Sequence, residues 1–122
     1  MIMINPPDSL ASLRERINAF VNERNWEQFH SPKNLVMAMI VEAAELVEHF
    51  QWETEQASRE LTAEKREQVS HELADTFVYL LRIAEVLNID LIEAANTKIG
   101  LNAKKYPIEK ARGSNAKYKD YE

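Results

Sequence analysis

The chain of 122 residues contains no cysteine, only two glycines and only four prolines. Without cysteine, disulfides, zinc–thiolate sites and catalysis by a thiol are all excluded. Compact β proteins need many tight turns, which glycine and proline supply, so their scarcity favours long helices. The length fits one domain, and the composition therefore predicts a single all-α domain.

Long apolar runs and an excess of basic residues are also lacking. No stretch approaches the roughly 20 apolar residues of a membrane-spanning helix. The start of the chain, MIMINPPDS, has neither the basic nor the apolar region of a signal peptide. The formal net charge of −5 argues against a broad nucleic-acid interface. It does not exclude binding of one small polyanion whose charge metal ions neutralise. We expect a cytoplasmic protein that binds neither a membrane nor a nucleic acid polymer.

Four long helices are predicted from apolar residues at helical spacing and from capping residues at their starts. They cover residues 9–23, 32–52, 62–87 and 90–106. Ser31 followed by Pro32 is a strong start signal for the second helix, and Pro107 ends the fourth. The segment ETEQASREL between the second and third helices is polar and predicted to be a loop. We expect residues 1–107 to form the domain and 108–122 to be a polar, loose tail.

The second and third predicted helices are apolar on more than one face. A helix that is apolar nearly all round is buried nearly all round. A lone four-helix bundle of this size cannot easily cover two such helices. We therefore expect a homo-oligomer, a dimer or tetramer, whose core is shared across subunits; the alternative is a monomer with an apolar surface.

Two pairs of acidic residues stand within the most apolar parts of these two helices. Glu42 and Glu45, and likewise Glu72 and Asp75, are three residues apart, so each pair shares one helix face. If the two helices pack antiparallel, the four carboxylates converge and repel one another unless cations offset their charge. Oxygen ligands are what Mg²⁺ prefers, and Mg²⁺ shares its remaining positions with substrate phosphates. The pattern predicts a magnesium site and a phosphate-bearing substrate.

Two other interpretations of the acids stay open at this point. Acid pairs at this spacing are common on solvated helix faces, where they bind nothing. A di-iron bundle requires a Glu-x-x-His on each of two helices, and the sequence offers that spacing once, from Glu27 to His30.

These residues resemble those of the all-α nucleoside triphosphate pyrophosphohydrolases of the MazG type. The resemblance rests on E-x-x-E, 26 residues and E-x-x-D, together with RNWEQFHSPKNLVMAMIVEAAELVEHFQW, HELADTFVYLL and KIGLNAKKYP. It is greatest to the dCTP pyrophosphatase branch and covers roughly residues 10–107. It implies a four-helix bundle of this type, a homo-oligomer, and Mg²⁺- or Mn²⁺-dependent cleavage of a triphosphate between the α and β phosphates.

The resemblance also implies roles for single residues. The four acids match the metal ligands, and Glu42 or Glu45 is the candidate to orient or deprotonate the attacking water. Trp26 and Trp52 match aromatic positions that lie against the base, and His30 matches a pocket position. Helical spacing, rather than the resemblance, adds Tyr79 and Arg82, one and two turns beyond Asp75, either of which could reach a phosphate or the sugar. Lys98, Asn102 and Tyr106 are in line on the fourth helix, and the resemblance implies that Lys98 and Asn102 meet the phosphates and the nucleoside.

One departure from the family pattern concerns the base. Some dCTP-preferring relatives carry a base-contacting histidine on the first helix, where this chain has Ile17, with Asn18 beside it. We predict hydrolysis of dCTP or modified dCTP, in nucleotide-pool sanitation. The alternatives are another nucleotide, such as dUTP or a damaged purine triphosphate, and a non-catalytic helical interaction module.

Overall fold

The protein is helical throughout the part of the chain that the structure, a computed structural model, describes, which is residues 9–121. Its helices are α1 (Leu10–Glu23), α2 (Pro32–Glu48), α3 (Glu55–Arg59), α4 (Ala63–Val86), α5 (Leu91–Lys105) and α6 (Ile108–Ala111). Short 3₁₀ turns cover Glu27–Phe29 and Tyr118–Asp120, and residues 9–121 contain no strand. The predicted all-α class is confirmed, and the four long helices are those expected from the sequence.

The chain divides into two compact units after Asn88. The first unit holds α1 to α4, and the second holds α5, α6 and the last 3₁₀ turn. Asn88 has a φ of 55°, in the left-handed region that asparagine tolerates better than most residues, and it follows the C-cap of α4. The extent of the catalytic domain predicted from the sequence, residues 1–107, stays a prediction.

Within the first unit, α1 and α2 both pack against α4. His49, just after α2, lies 3.9 Å from Glu72, whereas His30, just before α2, bonds to Arg82. The C-terminal end of α2 therefore lies near Glu72, and its N-terminal end lies near Arg82, which comes later in α4. The two helices are antiparallel, as predicted. The small core between these helices contains Leu35, 1% exposed, and Leu81, 3% exposed.

Capping side chains fix the starts of the long helices where the sequence places them. The hydroxyl oxygens of Ser9, Ser31 and Thr62 accept hydrogen bonds from backbone N–H groups three residues on, and the Asp90 carboxylate does the same. Each of these bonds satisfies one of the N–H groups that the first turn of a helix leaves without a partner. Because the caps are local, these four helix starts were predictable.

Two predicted boundaries are wrong. The second predicted helix ends at Glu48 rather than near Trp52, because the chain turns there and the N–H groups of Phe50 and Gln51 both bond to the Val47 carbonyl. The segment predicted as a loop contains α3, whose N-cap Thr54 accepts a hydrogen bond from the Ala57 N–H at 3.0 Å.

The predicted loose tail is also wrong for the described residues of the second unit. The segment after Pro107 forms α6 and the last 3₁₀ turn. The rings of Tyr118 and Tyr121 each pack edge-on against Tyr106, with ring centroids 6.0 Å apart in both pairs. This cluster of three tyrosines attaches the end of the chain to the end of α5.

Large apolar side chains remain exposed on the surface of the first unit. On α2 they are Val36, Met37, Ile40, Val41 and Val47, which are 43–63% exposed. On α4, Leu73 and Phe77 are 53% and 43% exposed. Several large apolar side chains exposed on the same two helices are typical of an interaction surface.

Within residues 9–121, no helix combines the length and apolar character needed to cross a lipid bilayer.

Candidate active site

Three carboxylates converge where α2 and α4 pack together. Glu42 and Glu45 lie one turn apart on α2, and Glu72 faces them from α4. One oxygen from each of the three lies within 4.8 Å of the others, and all three residues are half-buried. This acidic cluster joins the Glu42–Glu45 pair of α2 with Glu72, which is far away in sequence, as the predicted antiparallel packing requires.

The cluster favours the neutral form of two of its members, Glu42 and Glu72. Burial raises the pKa of Glu42 and of Glu72, and the adjacent Glu45 carboxyl raises both further. Asp75 acts on both in the same direction, while His49 opposes the rise at Glu72. Like charges that share a partly buried site repel, and the repulsion ends when a proton or a cation binds there.

The donor set fits a hard divalent cation. The Oε2 atom of Glu72 is buried and accepts no hydrogen bond from the described residues. In the same part of the chain, no lysine or arginine forms an ion pair with the cluster, and His49 is the basic group nearest Glu72, at 3.9 Å. A buried carboxylate oxygen without a donor is costly. A cation with oxygen ligands would satisfy that oxygen and relieve the repulsion together.

Asp75 stands at the edge of the cluster rather than inside it. It is exposed and is not among the three residues whose oxygens converge. It nevertheless raises the pKa of Glu42 and Glu72, and it also lines the adjacent cavity. The structure therefore gathers three of the four predicted metal ligands and places the fourth between the cluster and the cavity.

A cavity of about 420 Å³ opens between α1, α4 and the segment that joins α1 to α2. Four of the predicted substrate contacts line it: Trp26, His30, Tyr79 and Arg82. Phe20 and Trp26 meet edge to face, with their ring centroids 5.7 Å apart. Ile17, which occupies the place of the family's base-contacting histidine, is 8% exposed and forms part of the apolar wall. The cavity offers aromatic surface, a few polar groups and contact with Asp75.

A chain of hydrogen bonds crosses the wall of this cavity. Arg82 donates from Nε to His30 Nδ1 at 3.0 Å and from Nη1 to Asn18 Oδ1 at 3.2 Å. Asn18 in turn donates from Nδ2 to Glu85 Oε1 at 3.3 Å, and Arg14 Nε donates to Glu85 Oε2 at 3.1 Å. We call these five residues the polar network. It links α1, α4 and the segment before α2.

His30 enters this network as a neutral ring. Burial, and then the charge of Arg82, lower the pKa of His30 below its ordinary value. Since Nδ1 accepts from Arg82, the proton of the neutral ring lies on Nε2. His30 therefore contacts Arg82 and is absent from the acidic cluster, which argues against the di-iron interpretation of Glu27 and His30.

The remaining predicted contacts lie elsewhere in the described chain. Trp52 stands in the turn after α2 and is 89% exposed, so it is no core anchor of this chain. In the second unit, Lys98 and Asn102 are exposed on α5, and Tyr106 is the C-cap of that helix. Lys98 lines a shallow groove along α5 itself, together with Asp90, Glu93 and Thr97.

Four residues of the site were not identified from the sequence: His49, Asn18, Glu85 and Arg14. His49 is the C-cap of α2 and lies four residues beyond Glu45, so helical spacing was a usable signal. Asn18 and Glu85 contact each other across two helices. No local pattern relates residues that are 67 positions apart, so that contact had no sequence signal.

Known proteins resemble this chain in sequence and in fold. The MazG-like family model matches residues 37–121. The dCTP pyrophosphatase 1 of Mus musculus is 37% identical over 118 residues, which span 95% of this chain and 69% of the mouse protein. The Homo sapiens protein of the same name is 37% identical over 116 residues, which span 93% and 68%.

The fold comparison agrees with the sequence comparison. A crystal structure of a pyrophosphatase from Archaeoglobus fulgidus matches with a TM-score of 0.78 at 33% identity, covering 88% of this chain and 99% of that one. The family model covers well over half of the chain, and the fold, the acidic cluster and the adjacent cavity are consistent with it. The chain belongs to the MazG-like family.

Proposed function

We propose that this protein hydrolyses a nucleoside triphosphate, dCTP or a modified dCTP, to the monophosphate and pyrophosphate. The observation that carries the proposal is the adjacency of two sites within one unit. A cluster of three carboxylates suits a phosphate-binding cation, and Asp75 connects it with a cavity that has aromatic walls. Relatives at 37% identity are named dCTP pyrophosphatase 1, which supports the same reaction here.

Mg²⁺ is the cation that we propose for the acidic cluster, with Mn²⁺ as a substitute. Glu42, Glu45, Glu72 and Asp75 would hold it through carboxylate oxygens. When bound, it would offset the charge of the phosphate oxygens in the transition state.

The chain's own carboxylates supply the proton chemistry of this proposal. Glu45 or Glu42 orients a water molecule and accepts its proton as the water oxygen bonds to the α phosphorus. The bond between that phosphorus and the oxygen bridging to the β phosphate breaks, and pyrophosphate leaves. The reaction needs no covalent intermediate, so the chain's lack of cysteine is no obstacle.

The cavity is the proposed place for the nucleoside. Trp26 and Phe20 offer aromatic surface for a base, and stacking on such a surface contributes roughly 1–3 kcal/mol in single-strand binders. His30, Tyr79 and Arg82 supply polar contacts in the same cavity. We keep Trp52, Lys98, Asn102 and Tyr106 as proposed contacts to the base, the phosphates and the nucleoside.

A homo-oligomer in the cytoplasm is the proposed working form. The exposed apolar side chains of α2 and α4 need a cover, and a second copy of the chain offers an equally apolar surface. An exposed Trp52 is consistent with a role at a contact between subunits.

The test is a substrate panel that separates the products. The purified chain is incubated with Mg²⁺ and each of dCTP, 5-methyl-dCTP, dUTP, dTTP, dATP and dGTP, and pyrophosphate and orthophosphate are measured separately. We expect pyrophosphate without orthophosphate, fastest from a cytosine nucleotide, and no turnover when a chelator replaces Mg²⁺. Release of orthophosphate alone would mean cleavage at another bond. No turnover of any triphosphate would contradict the proposed function and favour the interaction module.

A further inference from the structure

Arg82 is held in the cavity by two polar partners on different elements. Its Nε–H bonds to His30, in the segment before α2, and its Nη1 bonds to Asn18 on α1. Asn18 is itself fixed because its Nδ2 group donates to Glu85, which also accepts from Arg14. The guanidinium is therefore oriented by bonds on two of its three nitrogens, whereas a surface arginine would be free to rotate.

This arginine still has hydrogen-bond donors to offer a ligand. A guanidinium carries five N–H groups and no acceptor. Two of the five are engaged with described residues, including one of the two on Nη1. Nη2 makes no hydrogen bond within residues 9–121, and Arg82 lines the cavity. The cavity wall thus presents a fixed set of donors.

The position of Arg82 along α4 separates it from the acidic cluster. Asp75 and Arg82 are seven residues apart, which is about 10 Å along a helix. Triphosphate oxygens gather at the cation end of the site, near Asp75, so the Arg82 end of the same cavity is left for the base. On the α1 side of the cavity, Leu13 and Ile17 are apolar and offer a base no hydrogen bond. Arg16 also lines the cavity, but it is exposed, and no hydrogen bond within residues 9–121 fixes its guanidinium as Arg82 is fixed.

We propose that Arg82, positioned by Asn18 and His30, selects a nucleotide base that carries a ring nitrogen acceptor directly beside an exocyclic oxygen acceptor. Cytosine has this pair in N3 and O2, and guanine has it in N7 and O6, the edge that arginine reads in duplex DNA. Thymine and uracil place an N–H between their oxygens, and adenine places an amino group beside its ring nitrogens, so none of the three matches the arginine fork. The inference rests on the proposed function. In it, Arg82 donates to the base the hydrogen bonds that Ile17, at the place of the family's histidine, cannot donate.

Asn18 is a positioning residue in this proposal and Arg82 is the residue that contacts the base. The decisive measurement is the ratio of kcat/KM for dCTP and dGTP to that for dTTP and dATP, with full-length protein and Mg²⁺. We expect Arg82→Met to lower the ratio of the preferred base over dTTP by about 10- to 100-fold, mainly through KM. Arg82→Lys keeps the charge but loses the planar fork. We therefore expect its kcat/KM values to exceed those of Arg82→Met, while its ratio of the preferred base over dTTP stays as low as that of Arg82→Met. A preference for dGTP over dCTP would support the contact between Arg82 and the base but contradict cytosine as the proposed base.

The Asn18 variants separate positioning from folding. Asn18→Leu should lower the same ratio by a smaller factor. Asn18→Asp combined with Glu85→Gln keeps an oxygen acceptor for Arg82 and restores a donor between positions 18 and 85, so the double variant should bring the ratio back toward the wild-type value. Asn22→Ala, one turn further along α1 and exposed, and Arg66→Met, exposed on α4, are the matched controls and should leave the ratio unchanged. Circular dichroism and Tm of every variant check that the fold is kept.

The outcomes distinguish this inference from the function on which it rests. If Arg82→Met lowers kcat/KM equally for all four nucleotides, or changes none of them, Arg82 does not read the base. A wild-type preference for dTTP or dATP, with pyrophosphate still released, overturns the inference and leaves the proposed reaction intact. If no triphosphate is hydrolysed at all, both proposals fall together.

Discussion

At the scale of single residues, Glu45 holds the central place in the acidic cluster. Its carboxyl lies close enough to Glu42 and Glu72 to raise the pKa of both. Each of the three carboxylates would gain from the proposed shared cation, but Glu45 is the member of the cluster that raises the pKa of both others. This makes Glu45 the most informative position to neutralise.

We expect Glu45→Gln to abolish at least about 99% of pyrophosphate release, as loss of a general base typically does. The same change removes one like charge from the cluster, so the metal-free protein should keep or raise its Tm. The rise in Tm on adding Mg²⁺ should shrink. Calorimetry with and without Mg²⁺, beside a pyrophosphate assay, measures both effects. Glu48→Gln, exposed one turn further along α2, is the control, and equal turnover of both variants would clear Glu45 of a catalytic part.

A second residue-scale prediction concerns Glu85 and pH. The hydrogen bond from Arg14, helped by Asn18, holds the pKa of Glu85 below its ordinary value of 4.5. A carboxyl whose pKa is lowered on folding adds stability above its ordinary pKa and loses it as pH falls through the lowered value. The Tm difference between wild type and Glu85→Gln should therefore be constant near pH 7 and vanish at pH values well below 4.5. Because the Arg14 side chain is 52% exposed, we expect less than about 1 kcal/mol.

Glu67→Gln, exposed on the same helix, is the control for this titration. A Tm difference for Glu85→Gln that persists unchanged at low pH would show that the ion pair with Arg14 is not its source.

At the scale of secondary-structure elements, α4 supplies residues to both halves of the site. It carries Glu72 and Asp75 toward the acidic cluster and Arg82 into the cavity. Its rotation and register therefore set the distance between the two halves. The cap at its N-terminus, Thr62, is exposed and far from both.

Thr62→Ala should lower the free energy of unfolding by about 1 kcal/mol, because the Lys65 N–H then loses its partner at 3.2 Å. Thr62→Asp should retain most of the stability, since a carboxylate caps the same group. Urea denaturation followed by circular dichroism measures both. Equal losses for the two variants would mean that the hydroxyl is not the source of the effect.

The starts of the four long helices were predictable, whereas the end of α2 was not, for a physical reason. Starts such as Ser31–Pro32 and Thr62 are chosen by one side chain that bonds its own backbone. The end of α2 has no glycine or proline to mark it, and apolar residues continue through Phe50 to Trp52, so the pattern alone extends the helix too far. The tail was misjudged because its order comes from tyrosine rings that meet Tyr106, a contact that periodicity does not encode.

The candidate site divides in the same way. Repeated spacing within α2 and within α4 was enough to predict the acidic pairs. The polar network depends on which faces of three separate segments meet, so only the folded chain relates Asn18 to Arg82 and Glu85. Trp26 and His30 were identified through the resemblance to a known family, because the sequence around them is distinctive. Which residues they contact in space could not be predicted from that sequence.

At the scale of the whole molecule, exposed apolar surface is the feature that needs a partner. The described residues have a small fully buried core, whereas many large apolar side chains face outward on α2 and α4. Apolar burial contributes roughly 25 cal/mol per Å². Covering these faces in an oligomer would therefore add stability that the single chain lacks.

Ile40, 63% exposed on α2, is the place to test this. We expect the wild-type protein to elute as a dimer or tetramer in size-exclusion chromatography with light scattering. Ile40→Arg should shift the mass toward the 14.1 kDa of one chain, because a charge on that face cannot be buried without a partner. Lys33→Glu, an exposed change near the start of the same helix, is the control and should leave the mass unchanged. A wild-type mass of one chain would contradict the proposed oligomer.

The almost complete solvation of Trp52 gives the molecule an optical property. The chain has two tryptophans, and Trp26, at 43% exposed, is much better shielded than Trp52, at 89%. An indole surrounded by water emits at longer wavelength than one in apolar surroundings, so the red edge of the intrinsic fluorescence belongs mainly to Trp52. A nucleotide or a second subunit that covers the Trp52 ring will therefore shift the fluorescence emission to shorter wavelength, and no attached label is needed to detect it.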